Sequence, residues 1–329
     1  MSTPDLLSAR FPHMRAGYES YYLRTARPEG GLGVWIRYTV HRRPGHAPTG
    51  SLWFTLFDAD ALAPSATKVT LEDPRTGDGA WIRIGAADFG PGTCRGAAAA
   101  PGGADVSWEL SFSGAPLLAT LPKAWMYRAP LPRTKPVSVY PVARVSGTVV
   151  VDGRRIDLDA WPGMVGHNWG TEHAERWIWL HGMAFDGAGE DTWLDVVLGR
   201  LRIAGRTTPW TASGTVSVDG ERLALGGPGR IRSTRIDEHP DHLVFGLTGR
   251  GVRVTGAAQA PRERFVGWIY ADPDGSTHHT VNCSIADLEL TVARDGQPPR
   301  TLTAPGLAAY ELGMRERDHG MTIQPFADG

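Results

Sequence analysis

Two cysteines, Cys94 and Cys283, are all that 329 residues provide. Two thiols so far apart make no disulfide framework, so a reduced, cytoplasmic setting is the simpler expectation, although the pair is not forbidden to bond. No apolar run reaches the roughly 18 residues a membrane span needs. The opening Met1-Ser-Thr-Pro-Asp5 has no basic stretch leading into an apolar one, so no secretory leader is expected. An excess of charge is missing too. Thirty-four basic against 35 acidic residues leave a net charge of -1, which argues against nucleic acid or an anionic membrane held by bulk charge. GxGxxG and GxxxxGK[ST] do not occur, and neither do GxSxG and HExxH. Nucleotide-cofactor chemistry and serine hydrolysis therefore have no foothold. Histidines are plentiful (His167, His173, His181, His278, His279), but their spacing matches no familiar ligand set, so no metal is expected.

What is abundant is punctuation. Forty-one glycines and 25 prolines are spread between short apolar runs, the pattern of an all-β sandwich or barrel. Val34–Val40 alternates Val, Ile, Tyr and Val against Trp35, Arg37 and Thr39, and Ser51–Phe57 follows. Val106–Phe112 sets Val, Trp, Leu and Phe against Ser, Glu and Ser. Thr93–Asp105, small and Gly-rich, reads as an exposed loop. Leu117–Pro141, with Pro116 just before it, is dense in proline and reads as a connector, which puts a domain boundary near residue 140. The expected domains are 1–140 and 141–329. Gly147–Leu158 and Gly214–Leu225 both read strand, Asp-Gly, strand, a hairpin signal repeated on either side of a Trp-rich stretch. A helix is plausible only at Leu307–Arg317.

The Trp-rich stretch, Trp161–Trp210, holds six of 12 tryptophans, with His167, Asn168, Glu172, His173, His181 and Asp195 among them. Aromatics carry core burial, whereas charges are seldom buried without a reason, so the mixture suggests a pocket. On Trp177–Met183, period two puts Trp177, Trp179 and His181 on one face, which is assigned to a barrel lumen. Pairing with Trp193–Leu198 would bring Asp195 near His181. An acid among apolar rings stays protonated at neutral pH, and indole faces stabilise a carbocation by about 2 kcal/mol each when desolvated. Asp195 or Glu172 is thus the candidate proton donor, His181 its partner, and Trp177, Trp179 and Trp193 the wall. Plainer roles stand beside these. His167, Asn168 and Trp169 suit local bonds that tie down a loop, and Glu172 suits a solvated charge cluster.

GMVGHNWGTEHAERWIWLHG (Gly163–Gly182), with VWIRYTV and LWFTLFD in the first half, resembles the AttH-like/hydroxyneurosporene-synthase superfamily of carotenoid 1,2-hydratases. Tocopherol cyclases and Diels–Alderases share a related architecture. The resemblance implies two lipocalin-like antiparallel β-barrel or sandwich domains side by side, a hydrophobic polyene or isoprenoid ligand, and no redox cofactor. In the hydratases a Tyr-x-Asp pair on a strand after the W-x-W strand supplies the proton. Trp193–Leu201 lacks it and offers Asp195; Tyr270–Asp272 carries it later, running into Pro273-Asp274-Gly275. The function expected is a cofactor-independent cyclase, isomerase or hydratase for a polyene or terpenoid, with Tyr270 a further contact. A monomer and a hydrophobic small-molecule partner complete the expectation, with a non-catalytic carrier as the alternative.

Overall fold

The structure, a computed structural model, describes residues 6–114, 118–203 and 205–328. It is almost entirely antiparallel β. One 12-stranded sheet runs from Ser65–Glu72 through Thr49–Asp58, Leu32–Arg42 and Gly17–Ala26 to Arg154–Gly170 and Thr134–Val151. It continues through Val106–Gly114 to short strands ending at Arg75–Gly77. This sheet curls into a half-barrel. The second sheet closes as an eight-stranded barrel, since Glu221–Gly226 meets His242–Gly249 at Leu225↔Gly249, and Arg176–Gly182 pairs with Arg300–Met314. No helix among the described residues is long and apolar enough to cross a membrane.

Several strands bury both faces, and the alternation explains how. On Leu32–Arg42, Val34, Ile36, Tyr38 and Val40 enter the apolar core of the half-barrel. Trp35, Arg37 and Thr39 point the other way, against the second barrel, and are equally buried. In the closed barrel, Ile178, Leu180, Leu194 and Val196 fill the interior. Trp177, Trp179, His181 and Asp195 lie on its outer wall. The face assigned to a lumen is therefore the contact face between the two domains. Period two separates two faces but does not say which surface covers each.

Both Asp-Gly hairpins form, with positive φ at Asp152 and Gly153 and at Asp219 and Gly220, as a type I′ turn requires. They lie in different sheets, however. The first belongs to the half-barrel, because Gly17–Ala26 takes Arg154–Gly170 as its partner. The change of sheet thus falls at residues 171–175, not near 140. Pro136 and Pro141 sit inside the strand Thr134–Val151: Pro136 keeps regular register opposite Asn168, and a register shift between Tyr140 and Ala143 carries the ladder past Pro141. Pro116 and Leu117 lie outside the described residues. Two further readings change. Thr93–Ala98 is a strand paired to Val106–Gly114, and Leu307–Met314 extends as strand, not helix, completing the closed barrel.

Candidate functional site

Between the outer wall of the closed barrel and the half-barrel lies a cavity of about 460 Å³. Its walls are aromatic: Tyr18, Tyr22, Trp35, Trp177, Trp179 and Tyr270. Two glycines on extended backbone make room for the large rings. A Cβ at Gly313 would sit 2.1 Å from the Trp177 indole, and one at Gly166 would sit 2.1 Å from the Tyr22 ring. Gly313 is the cross-strand neighbour of Trp177, and Gly166 that of Tyr22, so each ring lies flat over a bare strand.

Arg37, Glu311 and His173 are among the polar groups that line this space. Arg37 lies over the Tyr270 ring at 4.1 Å and near Trp53 at 5.4 Å. Glu311 accepts hydrogen bonds from Trp177 Nε1 at 2.9 Å, Asn282 Nδ2 at 3.2 Å and the Tyr270 hydroxyl at 3.4 Å. His173 stacks on Tyr18 with ring centres 4.0 Å apart. Its Nδ1–H donates to Asp272 Oδ1 at 2.7 Å, and its backbone N–H donates to the same oxygen at 2.8 Å. His173 Nε2 is buried without a partner. Burial works to raise the pKa of Asp272, but the bonds and charge of His173, with His278 behind it, outweigh burial and hold the carboxyl below its usual range. Burial, then His173 and Arg315, push His278 down to about 3.

Asp195 is sealed behind this wall. Oδ1 accepts from Trp179 Nε1 at 3.2 Å, and Oδ2 accepts from the Ser138 hydroxyl across the domain contact. Burial pushes its pKa up to about 6 against those two bonds. His181, its direct cross-strand neighbour, does not pair with it. Instead Nε2–H donates to the Pro141 carbonyl at 2.8 Å, an acceptor that the strand irregularity leaves free, and Nδ1 accepts from Arg24 Nη1 at 3.2 Å. Burial, then Arg24, push His181 down to about 3, so the ring is neutral. Arg24 also donates to the carbonyls of Ser284 and Leu307, tying the two domains together.

Of the residues expected at the site, Glu172, Trp177, Trp179, Asn168 and Tyr270 line the cavity. Glu172 is ion-paired to Arg133 at the mouth. Asp195, His181, Trp193, His167 and Trp169 do not line it. Trp193 packs under Arg222, and His167 bonds Glu19 and the Leu6 carbonyl on the far side of its strand. Trp169 lies under Arg10, also on that far side. Residues of alternating parity on one strand cannot share a face, which divides Asn168 from His167 and Trp169. Tyr18, Tyr22, Arg37, His173, Asp272 and Glu311 were not expected as site residues. The Tyr270-x-Asp272 motif was the available signal for Asp272. The turn after it is real (Asp272 N–H donates to the Ser276 carbonyl at 2.8 Å), and the acid is the last residue before the turn.

His173, Asp272 and His278 offer ligand atoms within 4.8 Å of one another, the one such cluster among the described residues. The 2.7 Å separation of His173 Nδ1 and Asp272 Oδ1 is a hydrogen bond, however. Two ligands on a tetrahedral zinc ion lie roughly 3.3 Å apart. As built, the cluster is a hydrogen-bonded dyad with a second imidazole beside it.

No protein-family model matches the chain. Uncharacterized proteins from two Mycobacterium tuberculosis strains, CDC 1551 / Oshkosh and ATCC 25618 / H37Rv, are 26% identical, covering 94% of this chain and 90% of theirs. Among solved structures, a Nitrosomonas europaea protein proposed to be an AttH superposes with a TM-score of 0.61 at 15% identity, over 96% of both chains. Kievitone hydratase from Nectria haematococca superposes with a TM-score of 0.53 at 9% identity, over 90% of this chain and 88% of that one. The fold is therefore AttH-like.

Proposed function

We propose that this protein is a cofactor-independent enzyme of the hydro-lyase or isomerase kind, protonating an alkene of a hydrophobic substrate held between its two domains. The observation that carries the reading is the His173–Asp272 dyad beside an aromatic wall. Asp272 accepts from His173 Nδ1–H and fixes its ring, so that Nε2, which bonds nothing among the described residues, is the nitrogen left for a ligand. The proton leaves Nε2, and the alkene electron pair forms the new C–H bond. Trp177, Trp179 and Tyr270 face the resulting cation. Water adding to that cation, with loss of a proton back to His173, gives an alcohol; attack by an internal double bond closes a ring and leaves a new cation, which loses a neighbouring C–H proton to His173 to give an alkene. Arg37 and Glu311 supply one donor and one acceptor for an oxygen function on the substrate. Asp195 acts through Trp179, which it orients, and His181 through the domain contact. The fold likeness to a hydratase supports the reaction class by analogy. The finer reading is a polyene or terpenoid substrate and cyclisation.

The test is incubation with linear polyprenyl and polyene candidates, following products by mass and retention shift. His173→Gln and Asp272→Asn are each expected to lower turnover about 10²–10⁴-fold, the usual contribution of general acid–base catalysis. Asp195→Asn with Glu172→Gln is expected to leave it within about tenfold, since neither carboxyl delivers the proton. Turnover undiminished in the first pair would remove the dyad from the mechanism. Binding without turnover across the panel would favour a carrier, which the same wall would serve.

A further inference from the structure

Three segments of the chain meet at the open end of the cavity: residues 118–134, 201–203 with 205–213, and 226–235. Each contributes to its lining, through Trp125 and Leu131, through Ile203, and through Ile231. The cavity is enclosed by aromatics at its inner end, but this rim is bare. Trp125 is 66% exposed, Leu131 42% and Ile203 45%, half of the six exposed large hydrophobics among the described residues. Scattered single apolar residues need no explanation, but three around one opening do. The charge of the same segments is one-sided. They hold three, two and three basic residues and no acid, in a chain whose total is almost balanced. Glu172 pairs with Arg133, and Glu175 lies 3.9 Å from Arg202. Lys123, Arg128, Arg206, Arg230 and Arg232 have no carboxylate within ion-pair distance among the described residues.

The platform is anchored as well. Buried Lys135 donates from Nζ to the carbonyls of Met126 at 2.6 Å and Ala129 at 2.8 Å, holding the short 3₁₀ turn Ala124–Tyr127 that presents Trp125. Ser213 bonds the Thr120 carbonyl, joining the first segment to the closed barrel.

We infer that this rim is a docking surface for an anionic lipid bilayer. An indole and two aliphatic side chains ringed by cations fit the boundary between acyl chains and acidic headgroups. Docked there, the cavity opens toward the phase in which an apolar substrate dissolves. A protein partner with an acidic face would match the charges but leave the protruding indole and aliphatic groups unexplained.

The full chain would be sedimented with vesicles of phosphatidylcholine, with and without a third of phosphatidylglycerol. Binding to the acidic vesicles is expected to exceed binding to neutral ones by about tenfold or more and to weaken as salt is added. Two exposed sets of variants divide the contributions. Lys123→Gln with Arg128→Gln and Arg206→Gln, and separately Trp125→Ser with Ile203→Ser, are each expected to lower binding about tenfold with circular dichroism unchanged. Brominated lipid is expected to quench wild-type emission more than that of Trp125→Phe. Failure to bind acidic vesicles would overturn the inference. So would binding that the Trp125/Ile203 pair leaves unchanged, which would make the rim a surface for acidic macromolecules in general. Vesicle binding is read without turnover, so its failure is separable from failure of the catalytic reading.

Discussion

Asp195 and Asp272 are both carboxyls buried where the two domains meet, yet they are driven in opposite directions. Asp195 receives only neutral donors, an indole N–H and a hydroxyl, and burial prevails, raising it to about 6. Asp272 is bonded twice by His173, with His278 3.7 Å away, and the bonds and charge of His173 prevail over burial. The difference teaches that depth alone does not make a carboxyl a proton source; the charge of the groups that solvate it decides. It also separates roles. The Asp272–His173 pair borders the cavity, whereas Asp195 stands one layer behind, holding Trp179.

That contrast can be strained by changing pH. The largest effect is expected from His181, beside Asp195. Its folded pKa is lowered to about 3, so on acidification the unfolded chain takes up a proton that the folded one refuses. Stability is therefore lost as pH falls from about 6.5 toward 3, by up to about 4 kcal/mol from this ring alone. Melting curves of His181→Gln are expected to fall less steeply with acid than those of the wild type; equal slopes would mean that the ring is not buried neutral.

Asp195 has the opposite sign. Its folded pKa is raised, so its favourable contribution is complete below about 3.8 and lost as pH rises through about 6, roughly 3 kcal/mol in all. Asp195→Asn keeps an acceptor for Trp179 and removes the charge. Its melting temperature relative to wild type is expected to climb across that window and level off above it; a flat difference would place Asp195 with Asp272 after all. The smallest effect tests the wall the two sites share. Gly313→Ala puts a methyl into the Trp177 ring and is expected to cost about tenfold in kcat/KM with little change in fold content by circular dichroism. Unchanged kinetics would show that Trp177 does not shape the reacting geometry.

Much of the fold was legible in the order of residues. Alternation located Leu32–Arg42, Thr49–Asp58 and Val106–Gly114, and Asp-Gly located both hairpins, because each is a local property of backbone and side-chain direction. What was not local was misread. Trp177, Trp179 and His181 were correctly grouped on one face, but that face is covered by the half-barrel, from which Arg24 reaches His181 across 157 residues of sequence, and no local pattern reports it. Pro136 and Pro141 suggested a break, yet Pro136 keeps its place opposite Asn168 and the irregular register around Tyr140 absorbs Pro141. Asp272 was visible as part of Tyr-x-Asp and set aside because a turn follows. Its proximity to His173 depends on a contact across 99 residues.

The strand Leu32–Arg42 serves as a party wall, greasy on the half-barrel side and cationic and aromatic on the cavity side. A slip of one position would exchange the two sets, driving the Arg37 guanidinium into a dry interior and turning Ile36 toward the cavity. Such a strand accepts replacements one at a time but no change in its length. Inserting a single residue between Val34 and Tyr38 is expected to abolish folding where most single substitutions would not.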